Sequence, residues 1–464
     1  MRLPTFSASK TQSRREQYRA ALSARRTWRT AMVVGVAVIG GLAAALFARL
    51  CDGAMKLHAH FMTINPWLTL LLLPVGFPLL TWLTRKVAPE AAGSGIPQVI
   101  AAAEQRWTGR WGGRRVTLRT AAWKVVLSAA VLVFGGSIGR EGPTVQVVAG
   151  ILRTLTRGLK GGPGRRAIII AGGAAGVSAA FNTPIAGVVF AVEELAKGFD
   201  KRTNATVILV VVAAGFASFA LQGDYAYFGQ LKGDATSVLG SAWFAAPVIG
   251  LSGGLCGGLF SKALVALIGP GQGRAARWRR ARPVLFAFLC GLIAAAVAWL
   301  SGGLTFGAGY DEARSLLADH PGRGLGFALW KGIASLAAAA SGAPGGIFAP
   351  SLATGAGIGA AWSRLAVMLG LTLGARDAVV LGMASYLSGV VQAPLTSAVI
   401  LMEMTRDPGL VGPLMLAALL ARWASGLVMP EPIYHVLAGN WGRAKPASAP
   451  PASPTDDRSG GGGL

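Results

Sequence analysis

Charge is scarce in this chain: Asp, Glu, Lys and Arg make up 14% of its 464 residues, against about 25% in a soluble domain. The shortage is patterned. Residues 167–192, 203–223, 235–261, 283–310, 332–363 and 378–402 contain no charged side chain. A membrane-crossing helix needs roughly 20 apolar residues, so each stretch can hold a span, and the longest a span and a half. Buried helices of a large soluble protein are shorter and keep a polar outer face, which excludes that reading. Metal-binding and disulfide chemistry are just as poorly supplied. Cys51, Cys256 and Cys290 are scattered through apolar sequence, and His58, His60, His320 and His435 form no ligand cluster. Neither a disulfide framework nor a metal centre follows, and no cofactor is expected. Period-2 alternation is absent and Ala, Leu and Gly dominate, so helices are expected rather than a barrel.

The charges that are present lean strongly one way, giving a formal net charge of +25. They gather in connectors: 2–29, 106–119, 153–166, 197–202 and 274–282. Basic short loops mark the cytoplasmic side. The acidic or balanced connectors 224–234, 311–323 and 376–377 are then expected to face outward. The 274–282 run is basic enough for nucleic acid. A folded basic face is missing, however, so no nucleic-acid partner is expected. No cleavage site closes the apolar run after the basic start. Residues 1–30 therefore read as a retained cytoplasmic segment, suited to a helix lying on the membrane. Residues 441–464, rich in Pro, Ala, Ser and Gly, read as a disordered tail.

Between these ends, residues 31–440 form the membrane domain, and they contain a repeat. Trp123-Lys124 aligns with Trp330-Lys331 at an offset of 207, which also lays the GREGP of 139–143 on the GIFAP of 346–350. Further on the offset is 210: Gly172, Ser178, Pro184 and Glu193 fall on Gly382, Ser388, Pro394 and Glu403. The halves are about 31–223 and 235–429. Duplicated halves are typical of secondary transporters, with the substrate site between them at the bilayer midplane. The connector after Glu193-Glu194 is basic and the one after Glu403 is not, which fits halves of opposite orientation.

Three Gly/Pro breaks interrupt the hydrophobic sequence: GSGIP at 93–97, GREGP at 139–143 and GGIFAP at 345–350. Proline suits the first turn of a helix, where no internal hydrogen bond is lost. Glycine lets main-chain N–H groups approach a ligand closely. Each break is therefore a candidate helix start at membrane depth, with free donors and a partial positive charge. Several such ends can hold an anion without a fixed cation that would bind it too tightly to release. Taken singly, each break is equally a helix kink.

In this order the three motifs resemble the ion-pathway signatures of the CLC chloride channel/transporter family, and the resemblance covers about residues 30–440. The segment from Asn182-Thr183-Pro184 to Glu193-Glu194 and the terminal Tyr434 also match the family pattern. The resemblance implies an all-α multi-pass membrane protein of two inverted repeats with broken, re-entrant segments. It implies a homodimer in the inner (plasma) membrane, with a pathway in each subunit and cytoplasmic termini. Chloride and protons are the implied substrates and the lipid bilayer the surroundings. Ser94 and Tyr434 look like hydroxyl donors to a central chloride, completed by the N–H groups of Ile347 and Phe348. Glu141 looks like an external gate and proton acceptor whose carboxylate can itself fill an anion site made with the backbone of Arg140 and Gly142. Glu194 looks like the internal proton-transfer acid, and Lys124 is placed to tune the local potential. Ser94 with Tyr434 favours chloride, with bromide and nitrate as poorer substrates. The paired CBS domains of some members are not expected in this chain.

An acid at membrane depth costs about 2.5–3.5 kcal/mol on insertion scales, so its default meaning is functional. For Glu141 the competing reading is an ion pair with Arg140 or Lys124. Glu193 and its duplicate Glu403 read as structural, and Lys331 argues for a structural share in Lys124 as well. Gln98 and Ile100 stand where some prokaryotic members carry acids, which leaves the inner proton route open. Three functions compete: a chloride/proton exchanger, a passive chloride channel, and an intramembrane enzyme. Glu194 favours the exchanger, since channel members usually have a non-acidic residue there. An enzyme would need a nucleophile–base or metal constellation, and along the chain no histidine or cysteine lies near the acidic motifs.

Overall fold

The computed structural model describes residues 8–104, 114–159, 163–196, 201–223, 228, 240–271, 273–318 and 324–442. The expected tail lies outside the described residues from position 443 onward, as do His320 and parts of the connectors. Among the described residues there is no β-strand. The first half contains α1 (Ala8–Ile64), α2 (Thr69–Val87), α3 (Ile96–Glu104), α4 (Leu118–Val133), α5 (Glu141–Leu155), α6 (Arg165–Phe181), α7 (Pro184–Phe190) and α8 (Lys201–Gln222). α7 runs on into one π-helical turn, Ala191–Ala196. The second half contains α9 (Ser241–Ile268), α10 (Arg274–Ala281), α11 (Pro283–Leu300), α12 (Tyr310–Leu317), α13 (Gly324–Ser341), α14 (Phe348–Met368), α15 (Ala375–Val391), α16 (Pro394–Thr405), α17 (Val411–Val428) and α18 (Ile433–Gly442).

Six helical segments among the described residues are long and apolar enough to cross a membrane: Ser23–Ile64, Pro66–Val87, Ala205–Gln222, Ser241–Ile268, Pro283–Leu300 and Pro408–Val428. Large apolar side chains cover their outer faces, with Phe244 81% exposed and Phe216, Leu300 and Leu427 close behind. An apolar exterior of this extent belongs in lipid, not water. The basic start is continuous with the first span, for α1 is unbroken from Ala8 to Ile64. Two expected connectors are helices. Residues 274–281 form α10. Residues 310–317 form α12, where Asp311 and Glu312 occupy the first turn and Ala313, Leu316 and Leu317 are buried. Acids at a helix start are favourable, and this short amphipathic pattern was hidden by its charge.

The repeat is visible as packing. α1 packs on α8 as α9 packs on α17; α5 packs on α6 as α14 packs on α15. α2 meets its own duplicate α11, and α7 meets its duplicate α16. Elements that pack on their own copies lie on a two-fold axis. The Glu193 carboxylate accepts from Leu395 N at 3.1 Å and Thr396 N at 2.7 Å, capping α16. The Glu403 carboxylate accepts from Ile185 N at 3.1 Å and Ala186 N at 2.7 Å, capping α7. One interaction is thus made twice, in opposite directions, which accounts for both acids as structural. The fold is an all-α, multi-pass membrane arrangement of two inverted repeats. Short helices interrupt it: α3 has 9 residues, about 14 Å at 1.5 Å per residue, against a hydrocarbon core of about 30 Å.

Close helix contact explains some of the glycine. Gly250, Gly254 and Gly258 of α9 face Ala417, Ala421 and Ser425 of α17. A Cβ at Gly250 would stand 2.8 Å from Ala417 O, and one at Gly258 would stand 3.0 Å from Ser425 Cα. Matched small residues at every fourth position let the two backbones touch.

Candidate ion pathway

The three Gly/Pro breaks are three helix starts, and the fold joins them at one point. Gly139 and Gly346 exchange N–H···O bonds of 2.8 Å in both directions, and Gly345 N donates to Gly93 O at 3.0 Å. The N-termini of α3, α5 and α14 therefore converge, and so do their unsatisfied N–H donors. The joint needs glycine at particular places. Gly93 and Gly95 have φ of +66° and +107°. A Cβ at Gly142 would come within 3.0 Å of Ser94 O and 3.2 Å of Gly346 Cα.

Tyr434 enters this junction from the first turn of α18. Its ring stacks on that of Phe348, with centroids 5.9 Å apart and planes 13° apart. Its hydroxyl approaches that of Ser94, yet neither oxygen completes a hydrogen bond with protein atoms although both are buried. Buried hydroxyls are costly unless bonded, so a pair of them facing one spot fits an acceptor placed there. Ser94, Tyr434 and Ile347 line a cavity of about 450 Å³ whose wall also carries Arg85, Arg279 and Arg280. The basic run of α10 thus lends two arginines to this wall, which makes the cavity electropositive.

Glu141, 1% exposed, is the first residue of α5. Its carboxylate accepts from Tyr310 Oη at 2.7 Å, and the main-chain N–H groups of Glu141 itself and Ala349 lie close by. The carboxylate lies where the starts of α5 and α14 meet. Neither proposed ion-pair partner is turned to it. Arg140 Nη1 donates to Asp52 at 2.7 Å and to Ala48 O at 2.9 Å, so only its longer-range field reaches Glu141. Lys124 Nζ donates to Ala91 O at 2.8 Å and Gly93 O at 2.5 Å.

Tyr310 is the site residue that sequence reasoning missed. It faces a second cavity, of about 560 Å³, lined also by Arg49, Asp52, Lys56, Arg140 and Arg314. The signal was a further copy within the repeat. GAGY at 307–310 repeats GSGI at 93–96 at an offset of 214. Gly307 and Gly309 have positive φ, +56° and +85°, as Gly93 and Gly95 do. Each loop is fastened by the duplicated lysine. Lys331 Nζ donates to Thr305 O, Phe306 O and Gly307 O at 3.0, 3.2 and 2.8 Å, and both lysines are fully buried. One lysine thus holds the loop that carries Ser94, the other the loop that carries Tyr310.

Glu194 sits in the π-helical turn, 2% exposed. Its neighbour Glu193 turns to α16. Nε2 of His435, which follows Tyr434, bears on this acid: it lies 3.1 Å from Glu194 O and 3.7 Å from the Glu194 carboxylate. A histidine does, then, lie near an acidic motif. It is distant along the chain and adjacent in space. Tyr434 is within electrostatic reach of both Glu141 and Glu194. Gln98 and Ile100 take no part as acids. Gln98 Nε2 donates to Ala92 O at 2.6 Å and Glu90 O at 3.3 Å, and Ile100 is core. Among the described residues no group of three His, Cys, Asp or Glu could hold a metal ion.

This arrangement has known counterparts. The voltage gated chloride channel family matches residues 75–426. The structure of a slow cyanobacterial Cl⁻/H⁺ antiporter superposes with a TM-score of 0.74 at 25% identity, covering 89% of this chain and 98% of that one. A CLC-type fluoride/proton antiporter gives 0.72 at 22%, again over 89% and 98%. A eukaryotic CLC transporter gives 0.68 at 21%, over 88% of this chain and 73% of that one. The last two bear on the fold alone. With the family matched over most of its length and its breaks gathered into one buried anion-seeking junction, the chain belongs to the voltage gated chloride channel (CLC) family.

Proposed function

We propose that this protein exchanges chloride for protons across the membrane. The observation that carries the reading is that two buried acids, Glu141 and Glu194, both come within electrostatic reach of the Tyr434 hydroxyl. In this reading a central chloride accepts from Ser94 Oγ and Tyr434 Oη and from the N–H groups of Ile347 and Phe348. A second anion site uses the backbone of Arg140 and Gly142, and Glu141 competes for it. As carboxylate, Glu141 fills the site; as neutral acid it leaves, and chloride takes its place. Glu194 exchanges protons with the opposite face. A chloride moving one way and a proton moving the other each carry charge in the same sense, so transport responds to voltage at about 2.3 kcal/mol per charge per 100 mV.

Supporting features are the two arginine-bearing cavities, one at Ser94 and Tyr434 and one at Tyr310, and the similarity to a Cl⁻/H⁺ antiporter. The same scaffold without proton coupling is a passive chloride channel. The family assignment accommodates both, and Glu194 is what favours exchange. The proposed assembly is a homodimer in the inner (plasma) membrane with cytoplasmic termini. Its contact uses α7 and α16, where Ile185 and Leu395 project outward.

The test is a chloride gradient imposed on proteoliposomes, with chloride and pH electrodes read together. Wild type is expected to drive protons uphill. Glu141→Ala and Glu194→Gln are expected to pass chloride without uphill protons. Chloride flux in wild type with no uphill proton movement refutes the exchanger and leaves the channel.

A further inference from the structure

Glu194 is almost wholly buried: it is 2% exposed, set in the π-helical turn beside His435 of α18. A proton acceptor so placed needs a group that reaches it from the surface. Positions 98 and 100 of α3 hold an amide committed to main-chain carbonyls and a core isoleucine.

One side chain does span the gap. The His435 ring, 11% exposed, has Nε2 3.7 Å from Glu194 Oε1. Its other nitrogen, Nδ1, lies 3.8 Å from Glu104 Oε1, and the Glu104 side chain is 52% exposed at the end of α3. Surface carboxylate, imidazole and buried carboxylate thus stand in a row, built from α3, α18 and the π turn. α18 packs on α3, and α3 on the π turn, so the row is held by helix contacts. The Nε2 contact to Glu194 O at 3.1 Å fixes the ring's orientation.

We propose that His435 relays protons between Glu104 at the surface and Glu194 in the interior. The proposal rests on the exchanger reading and supplies its inner proton route. Imidazole suits the task because it can accept at one nitrogen and release from the other near neutral pH. In the inward step, Glu104 takes a proton from water and passes it to Nδ1. The imidazolium then gives its Nε2 proton to the Glu194 carboxylate. One proton enters at Nδ1 and one leaves from Nε2, so the ring ends protonated at Nδ1; exchange with water, which takes the Nδ1 proton and supplies one to Nε2, restores the starting tautomer. Charge-assisted hydrogen bonds close at about 2.7–2.9 Å. Each gap therefore has to shorten by about 1 Å, within the rotation of an exposed glutamate side chain and a small tilt of the ring.

The competing role is mechanical, with His435 only tying α18 to the π turn through Glu194 O. His435→Gln separates the two, because an amide N–H can keep that bond but cannot pass a proton on. Uphill proton flux, chloride flux, chloride binding by calorimetry and thermal unfolding are measured on the same preparations. The relay predicts a proton-to-chloride flux ratio at least about tenfold below wild type in His435→Gln, with chloride binding and unfolding temperature unchanged. Imidazole added to His435→Ala should restore proton flux, and Glu104→Gln should give a smaller fall in the ratio. A wild-type ratio in His435→Gln overturns the relay. So does a parallel loss of proton flux, chloride binding and stability, which is the mechanical outcome. A wild type that drives no protons uphill overturns the exchanger reading itself, whatever the histidine variants do.

Discussion

Tyr310→Phe tests whether Glu141 is held as a carboxylate in competition with chloride. The substitution removes one oxygen and keeps the ring, whose packing on Phe228 (centroids 6.2 Å apart) needs no hydroxyl. What is lost is the 2.7 Å bond from Tyr310 Oη to Glu141 Oε1. A hydrogen bond to a charged group contributes about 1.5–3 kcal/mol, which corresponds to roughly 10- to 150-fold in an equilibrium constant. The donors on Glu141 and Ala349 remain, and water from the adjoining cavity can partly replace the hydroxyl, so the low end applies. The carboxylate should yield its place about tenfold more readily, and chloride should occupy that place at a correspondingly lower concentration. Calorimetric chloride titration and the chloride dependence of flux both read this. The control is the same change in a Glu141→Gln background, where no carboxylate competes and the effect should vanish. Unchanged chloride affinity in Tyr310→Phe, or an equal change in both backgrounds, refutes the reasoning.

Ser94→Ala and Tyr434→Phe each remove a buried hydroxyl that lacks a protein partner; they should weaken chloride binding in titration calorimetry without lowering the unfolding temperature, and unchanged affinity in the double variant would rule out the central site. Glu193→Ala and Glu403→Ala each strip a carboxylate cap from a helix start, a loss of about 0.5–2 kcal/mol, so both should lower the unfolding temperature while uphill proton transport persists, in contrast to Glu194→Gln. Gly254→Leu forces a side chain into the backbone of Ala421; overpacking of about 1–3 kcal/mol or more should appear as reduced thermal stability of the purified protein.

The amino-acid sequence by itself located the spans at 205–222, 241–268 and 283–300, because a run of uncharged residues long enough to cross lipid is a property of the chain alone; the uncharged stretches 167–192, 332–363 and 378–402 are instead each broken into two helices. It determined the helix starts at GSGIP, GREGP and GGIFAP, because glycine and proline act on their own backbone angles. It paired the halves as well: matched residues at offsets of 207 and 210 correspond to helices that pack on their own duplicates. Glu193 read as a structural helix-end acid and the repeat extended that reading to Glu403; their exchanged caps agree with it. Tertiary structure alone gave the two adjacent acids their partners, since the π turn sends Glu193 to α16 and leaves Glu194 beside His435. It alone placed the Tyr310 hydroxyl on Glu141, 169 residues away, and His435 on Glu194, 241 residues away. The physical reason is one of range. Backbone preference and hydrophobic length act over a few residues and are written locally. A hydrogen bond between distant side chains exists only after helix packing has fixed both ends, and nothing in either neighbourhood of the chain names its partner.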